Sequence, residues 1–91
     1  MEQKYGLYRL TARQMYRLFI QLSNESAILL EEEQLLKVSA LEEAFDIFRR
    51  TEDYEQAAHQ LYLLMELVQG LTNLERWIER VLDGDFGWVT W

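Results

Sequence analysis

Residues 53–70, DYEQAAHQLYLLMELVQG, decide the fold of this chain. Apolar residues recur through the stretch at the three- and four-residue spacing of an α-helix, and its second half is apolar on almost every side. A helix with so wide an apolar surface is normally buried between other elements. Asp53 can cap its first turn and Gly70 can end it. The stretch therefore predicts a helix that is central in the fold or buried on two sides.

A first amphipathic helix is predicted ahead of this central one. Thr11 is followed three residues later by Gln14, which is the pattern of a capping box, and apolar residues at helical spacing come next. We expect this helix to cover residues 12–22. The polar sequence SNES at residues 23–26 is expected to end it.

Two further helices flank the central one. The second should start near Ser26 and continue to Arg50; a capping-box pattern at Ser39 lies inside it, and we interpret the stretch as one bent helix. The fourth should begin at a capping box over residues 72–75 and end at Gly84. Together these segments predict an all-α fold, a compact bundle of four to five amphipathic helices, with dimerisation through the second or third helix as a way to complete it.

The chain is long enough for one domain, and we treat residues 1–91 as a single helical domain. An N-terminal arm covers residues 1–10 and an aromatic C-terminal tail covers residues 85–91. So small a domain usually needs a disulfide, a metal or self-association to supplement its core. There is no cysteine and the only histidine is His59, so we expect no metal and no cofactor, and a homodimer stays open. Without a signal peptide or an apolar run of membrane-spanning length, we expect a cytoplasmic protein with no membrane contact.

Charge is unevenly distributed along the chain. The net charge is -7, yet residues 1–23 carry a net +3, so the acidity lies in the rest of the sequence. This balance disfavours nucleic acid and favours a basic protein partner. Glu31 and Glu32 begin the main acidic cluster and are candidates for contacting such a partner, although a solvated acidic face is the simpler interpretation. A metal-dependent hydrolase using helical carboxylates is the least favoured alternative, because the paired-glutamate pattern of such enzymes is incomplete here.

The first helix carries the basic residues. Arg13 and Arg17 lie one turn apart, with Lys4 and Arg9 before them and tyrosines between. This pattern could bind phosphate or nucleic acid, which is the second function considered. We favour the alternative that these arginines pack against the acidic helices of the same domain, because so few cations make a small phosphate footprint.

The C-terminal tail concentrates Phe86, Trp88 and Trp91 in its last six residues. Large aromatic side chains are favoured anchors at protein interfaces, so the tail is a candidate partner-binding segment. A tail that folds back over the bundle and adds core area is slightly favoured over this interpretation.

No catalytic motif is present. His59 has no cysteine or second histidine to work with, the serines lie at predicted helix caps, and there is no glycine-rich phosphate loop. We therefore predict a small acidic protein, not an enzyme, that acts by protein–protein binding. A regulator, an adaptor, or an inhibitor or antitoxin-like neutraliser of a partner would fit this description.

Overall fold

The computed structural model describes residue 7 and residues 10–83, and over these residues the chain forms four α-helices. They are α1 (Ala12–Leu29), α2 (Glu32–Arg50), α3 (Tyr54–Val68) and α4 (Leu74–Leu82). This part of the chain contains no β-strand. The predicted all-α bundle is confirmed, with four helices where four to five were predicted. None of the described helices is both long enough and apolar enough to cross a membrane.

Helix α3 is buried on two sides, as its sequence predicts, because it packs against both α1 and α2. Helix α1 contacts all three of the other described helices. The Asp53 carboxylate accepts a hydrogen bond from the Gln56 amide at 3.4 Å, and Gly70 follows the last turn of α3 with a φ of +82° that favours glycine. The buried side chains of α3 extend along its whole length and are those of Ala57, Ala58, Leu61, Leu64, Met65 and Val68.

Helix α1 is longer than predicted. The capping box of Thr11 and Gln14 is present, but the helix continues through SNES to Leu29. Ser26 is fully buried, and its hydroxyl donates to the carbonyl of Ser23 at 2.7 Å, so the polar side chain is satisfied inside the helix. The prediction that this sequence ends the helix was wrong, because serine can bond to its own helix as well as cap the next one.

Helix α2 consequently begins at Glu32 rather than near Ser26. It is continuous through Ser39, so the internal capping pattern does not divide it. Only Val38 and Phe45 of its nineteen residues are buried. Ile28, which falls within the predicted range of the second helix, belongs to α1 and is 83% exposed.

Helix α4 is capped by a different residue than expected. The Asn73 side chain accepts a hydrogen bond from the Arg76 amide at 3.0 Å. Thr72, the predicted cap, instead accepts a hydrogen bond from the Trp77 indole N–H at 3.1 Å. The helix ends at Leu82, and the predicted stop at Gly84 lies outside the described residues.

This cap supports a stability prediction. Asn73→Ala leaves the amide of the first turn without its acceptor and should lower the free energy of unfolding by about 1 kcal/mol. Asn73→Asp keeps an acceptor at the same place and should be close to the wild type. Urea unfolding followed by circular dichroism measures both variants, and equal losses in the two would contradict the assigned cap.

Candidate partner-binding surfaces

A surface pocket of about 350 Å³ opens where three helix ends meet. The first turns of α1, the last turn of α2 and the first residue of α3 contribute its walls. The lining residues are Ala12, Arg13, Tyr16, Arg49 and Tyr54, and we refer to this site as the Arg–Tyr pocket. Among the described residues, two arginines and two tyrosines line the pocket and no acidic side chain does, which gives this part of it a positive and aromatic character.

Arg49 is held in place on two sides. Its guanidinium carbon lies 4.3 Å from the centre of the Tyr16 ring, a cation–π contact that joins α2 to α1. Its Nη2 atom lies 2.9 Å from the Asp46 carboxylate, which also binds Arg50 at 3.0 Å. One face of the guanidinium is thus fixed by the ring and one edge by the acid, so Arg49 is preorganised at the pocket wall.

The two arginines predicted on the first helix have different environments. Arg13 is exposed and lines the pocket, whereas Arg17 is only 8% exposed and faces the interior of the bundle. Burial lowers the pKa of Arg17, and the positive charge of Arg13 lowers it further. In the described structure Arg13 therefore shares an exposed surface with Arg49 and not with Arg17. The other predicted cations, Lys4 and Arg9, lie outside the described residues.

Backbone electrostatics add to the positive character of the pocket. Helices α1 and α3 both start there, and the start of a helix carries partial positive charge. The first turn of α1 contains no acid to offset that charge. Near the start of α3 acidic side chains offset the positive charge, because Glu52, Asp53 and Glu55 surround Tyr54 in sequence. The Arg–Tyr pocket is thus a small positive site beside an acidic turn.

A second, smaller concavity of about 220 Å³ continues from the pocket between α1 and α2. Tyr16 lines both spaces. In the smaller one, the rings of Phe19 and Phe45 stack with their centres 4.2 Å apart, and Glu42 and Asp46 lie at its edge. The two spaces therefore share one wall residue, and the lining of the first is positive whereas that of the second is apolar and acidic.

The acidic residues are spread along α2 and the turn before it. Glu31, Glu32 and Glu33 are exposed around its start, so the two candidates for partner contact are at the surface as required. Over the described residues, no three carboxylate or histidine side chains come together in a way that could hold a metal ion. His59 is exposed on α3, as its position on the polar side predicts.

A third feature is the side of α2 that faces away from Val38 and Phe45, which we call the outer face of α2. Its residues follow each other at alternating spacings of three and four, and all are exposed: Glu33, Leu36, Ala40, Glu43, Ile47 and Arg50. Its two large apolar side chains are Leu36, which is 70% exposed, and Ile47, which is 53% exposed. The spacing of this face is visible in the sequence, but these residues were not among the predicted sites.

The aromatic tail candidates Phe86, Trp88 and Trp91 lie outside the described residues. Arg49 and Tyr54 were not predicted as site residues, and the fold brings them to Arg13 from distant parts of the chain.

No protein-family model matches the sequence, and comparisons with curated proteins and with solved structures find no similar chain.

Proposed function

We propose that this protein acts by binding a partner protein, and that the Arg–Tyr pocket receives one anionic side chain of that partner. The observation that carries the proposal is the convergence of Arg13, Tyr16, Arg49 and Tyr54 from three helices on one surface pocket. With about 350 Å³, the pocket is at the small end of ligand sites. It suits a side chain presented by a larger molecule.

The chemistry of the lining favours a carboxylate or a phosphate group. A guanidinium presents several N–H donors in a plane, which matches the paired oxygens of these anions. Arg49 uses one edge on Asp46, and Arg13 makes no ion pair within the described part of the chain, so donors remain for a ligand. A hydrogen bond to a charged group contributes about 1.5–3 kcal/mol. Tyr16 and Tyr54 add flat surfaces on which the rest of the partner segment can pack.

The charge of the remaining surface favours a protein partner over nucleic acid. A nucleic-acid strand would bring a row of phosphates against a chain with a net charge of -7, while two arginines of the described residues line the pocket. A partner that presents one acidic side chain within a neutral or basic surface is attracted twice. The pocket attracts its acidic side chain, and the acidic surface of this chain attracts the residues around it. The acids Glu52, Asp53 and Glu55 beside the pocket favour such a basic surrounding. The predicted contact residues Glu31 and Glu32 lie at the other end of α2 and would contact a separate part of the partner.

Charge reversal in the pocket tests this proposal. The full-length protein, Arg13→Glu and Arg76→Glu serve as baits in an extract of the cells that make the protein, with retained proteins quantified by mass spectrometry. Arg76 is an exposed arginine on α4 outside the pocket, so its reversal changes net charge equally and is the matched control. We expect one partner to be retained by the wild type and by Arg76→Glu, and at least tenfold less of it by Arg13→Glu, equivalent to 1.4 kcal/mol.

Equal retention of the partner by both variants would refute the role of the pocket. A parallel measurement follows binding of a single-stranded RNA and of a single-stranded DNA at low and high salt. If nucleic-acid binding weakens steeply with salt and depends on Arg13, the ligand of the pocket is a nucleic acid and not a protein.

A further inference from the structure

The outer face of α2 has the residue pattern of a coiled-coil seam. Glu33, Leu36, Ala40, Glu43, Ile47 and Arg50 occupy alternating a and d positions of a heptad repeat over five turns. In a folded monomer these positions would be solvated on an outward-facing helix, and two of them carry large, mostly exposed apolar side chains. A helix with a buried seam of Val38 and Phe45 on one side and an exposed seam on the other can pack against two neighbours.

The charges on this face are polarised along the helix. Glu33 lies in the first turn of the helix and Arg50 in its last turn. An antiparallel arrangement of two copies of α2 places each Glu33 beside Arg50 of the partner subunit. A parallel arrangement would place like charges together at both ends of the face, whereas the antiparallel one brings together only the two copies of Glu43 near its middle.

The same antiparallel arrangement also matches the side chains by size. When a positions face d positions, Leu36 lies opposite Ile47 of the partner subunit, and Glu33 lies opposite Arg50 of the partner subunit. Near the twofold axis, Ala40 lies opposite Glu43 of the partner subunit. The small alanine leaves room for the longer glutamate side chain to reach solvent. Apolar, small–polar and oppositely charged pairs therefore coincide in one register.

We propose that two copies of this chain associate through the outer faces of α2 in an antiparallel, twofold arrangement. The occupant of the face is a second copy because its own charge pattern complements itself when reversed. A single pair of helices buries less area than the 1,200–2,000 Å² or so typical of a stable interface. The dimer is accordingly weak and depends on concentration. Pocket residue Arg49 lies two positions after Ile47, on another side of the helix, so pairing leaves the Arg–Tyr pocket open.

Cysteine crosslinking of the full chain tests the arrangement, because the natural sequence contains no cysteine and each introduced thiol is the only one present. In the antiparallel register, the two copies of residue 40 are separated by about 4.5 Å along the helix axis, and the two copies of residue 36 by about 16 Å. Under mild oxidation Ala40→Cys should form disulfide dimers and Leu36→Cys should not. An equal mixture of Leu36→Cys and isotope-labelled Ile47→Cys should give mixed dimers, which mass spectrometry identifies.

His59→Cys, at an exposed position on α3, measures the background from random collision. Disulfide dimers of Ala40→Cys no more abundant than that background would overturn the proposal. Crosslinking of Leu36→Cys as efficient as that of Ala40→Cys would also overturn it, because it indicates a parallel pair. All the chosen positions are exposed, so the fold is retained in each variant.

A mixing experiment tests the charge pairing without oxidation. Glu33→Arg alone and Arg50→Glu alone each place like charges opposite one another, and sedimentation should show each to self-associate at least tenfold more weakly than the wild type. A mixture of the two variants restores both opposite-charge pairs in the mixed dimer and should associate like the wild type. Association of each single variant equal to that of the wild type, or a mixture no stronger than its components, would overturn the assigned register.

Discussion

Leu64→Ala is expected to lower the free energy of unfolding by about 2–5 kcal/mol, the range for a fully buried leucine in a close-packed core. Leu64 is completely buried in α3, which packs against both α1 and α2. Truncation leaves a cavity that three helices would have to close together. Since a domain of this size has a total stability of about 5–10 kcal/mol, the variant should lose a large part of it.

Leu36→Ala is the matched control for this prediction. It makes the same chemical change in the neighbouring helix at a site that is 70% exposed, and its effect should remain within about 0.5 kcal/mol. Urea unfolding at low protein concentration, where any self-association is absent, measures both. Similar losses for the two leucines would contradict the burial of α3 on two sides.

Phe45→Ala is expected to cost about 3–5 kcal/mol and to remove partner binding as well. Phe45 is one of two buried residues of α2 and stacks on Phe19 of α1 with ring centres 4.2 Å apart. Without this contact α2 is no longer fixed against α1. Arg49, one turn further along α2, then loses its position over Tyr16. Stability and the Arg–Tyr pocket are thus lost together.

Ile47→Ala provides the comparison on the same helix, because Ile47 is 53% exposed and lies outside the pocket. Its unfolding free energy and its partner binding should both stay near the wild-type values. Phe45→Leu, which retains an apolar side chain at the buried site, should fall between Phe45→Ala and the wild type. Full partner binding by folded Phe45→Ala would show that the pocket does not depend on the contact between α1 and α2.

The sequence was most informative where one local interaction decides the structure. The apolar spacing around Leu61 predicts that α3 is buried on two sides, and the side chains of Thr11 and Asp53 cap helices as expected. Prediction failed where one residue type can form either of two local hydrogen-bonding arrangements. A serine can cap the start of a helix or bond to a carbonyl within one. Ser26 bonds within α1, because its buried hydroxyl requires a hydrogen-bond partner.

The candidate site was harder to predict than the fold because its residues are far apart in sequence. Arg13 was identified from its neighbours on the first helix. Arg49 joins it only because the packing of α2 against α1 brings the last turn of α2 near the first turns of α1. Arg17 shows the reverse, since one turn of helix is sufficient to move it from the surface into the interior. Local periodicity alone does not determine which side of a helix meets solvent when both sides carry charged residues.

The most direct test of the Arg–Tyr pocket is a nuclear magnetic resonance titration of the full chain with small anionic probes. N-acetylglutamate amide and N-acetylphosphoserine amide supply the two anionic groups, and N-acetylglutamine amide is the neutral control. We expect salt-sensitive shifts of the backbone amides of Arg13, Tyr16, Arg49 and Tyr54 with at least one anion up to roughly 20 mM, a range suited to weak single-group binding. No such shifts with either anion, or equal shifts in Arg13→Glu, would contradict the proposed binding site.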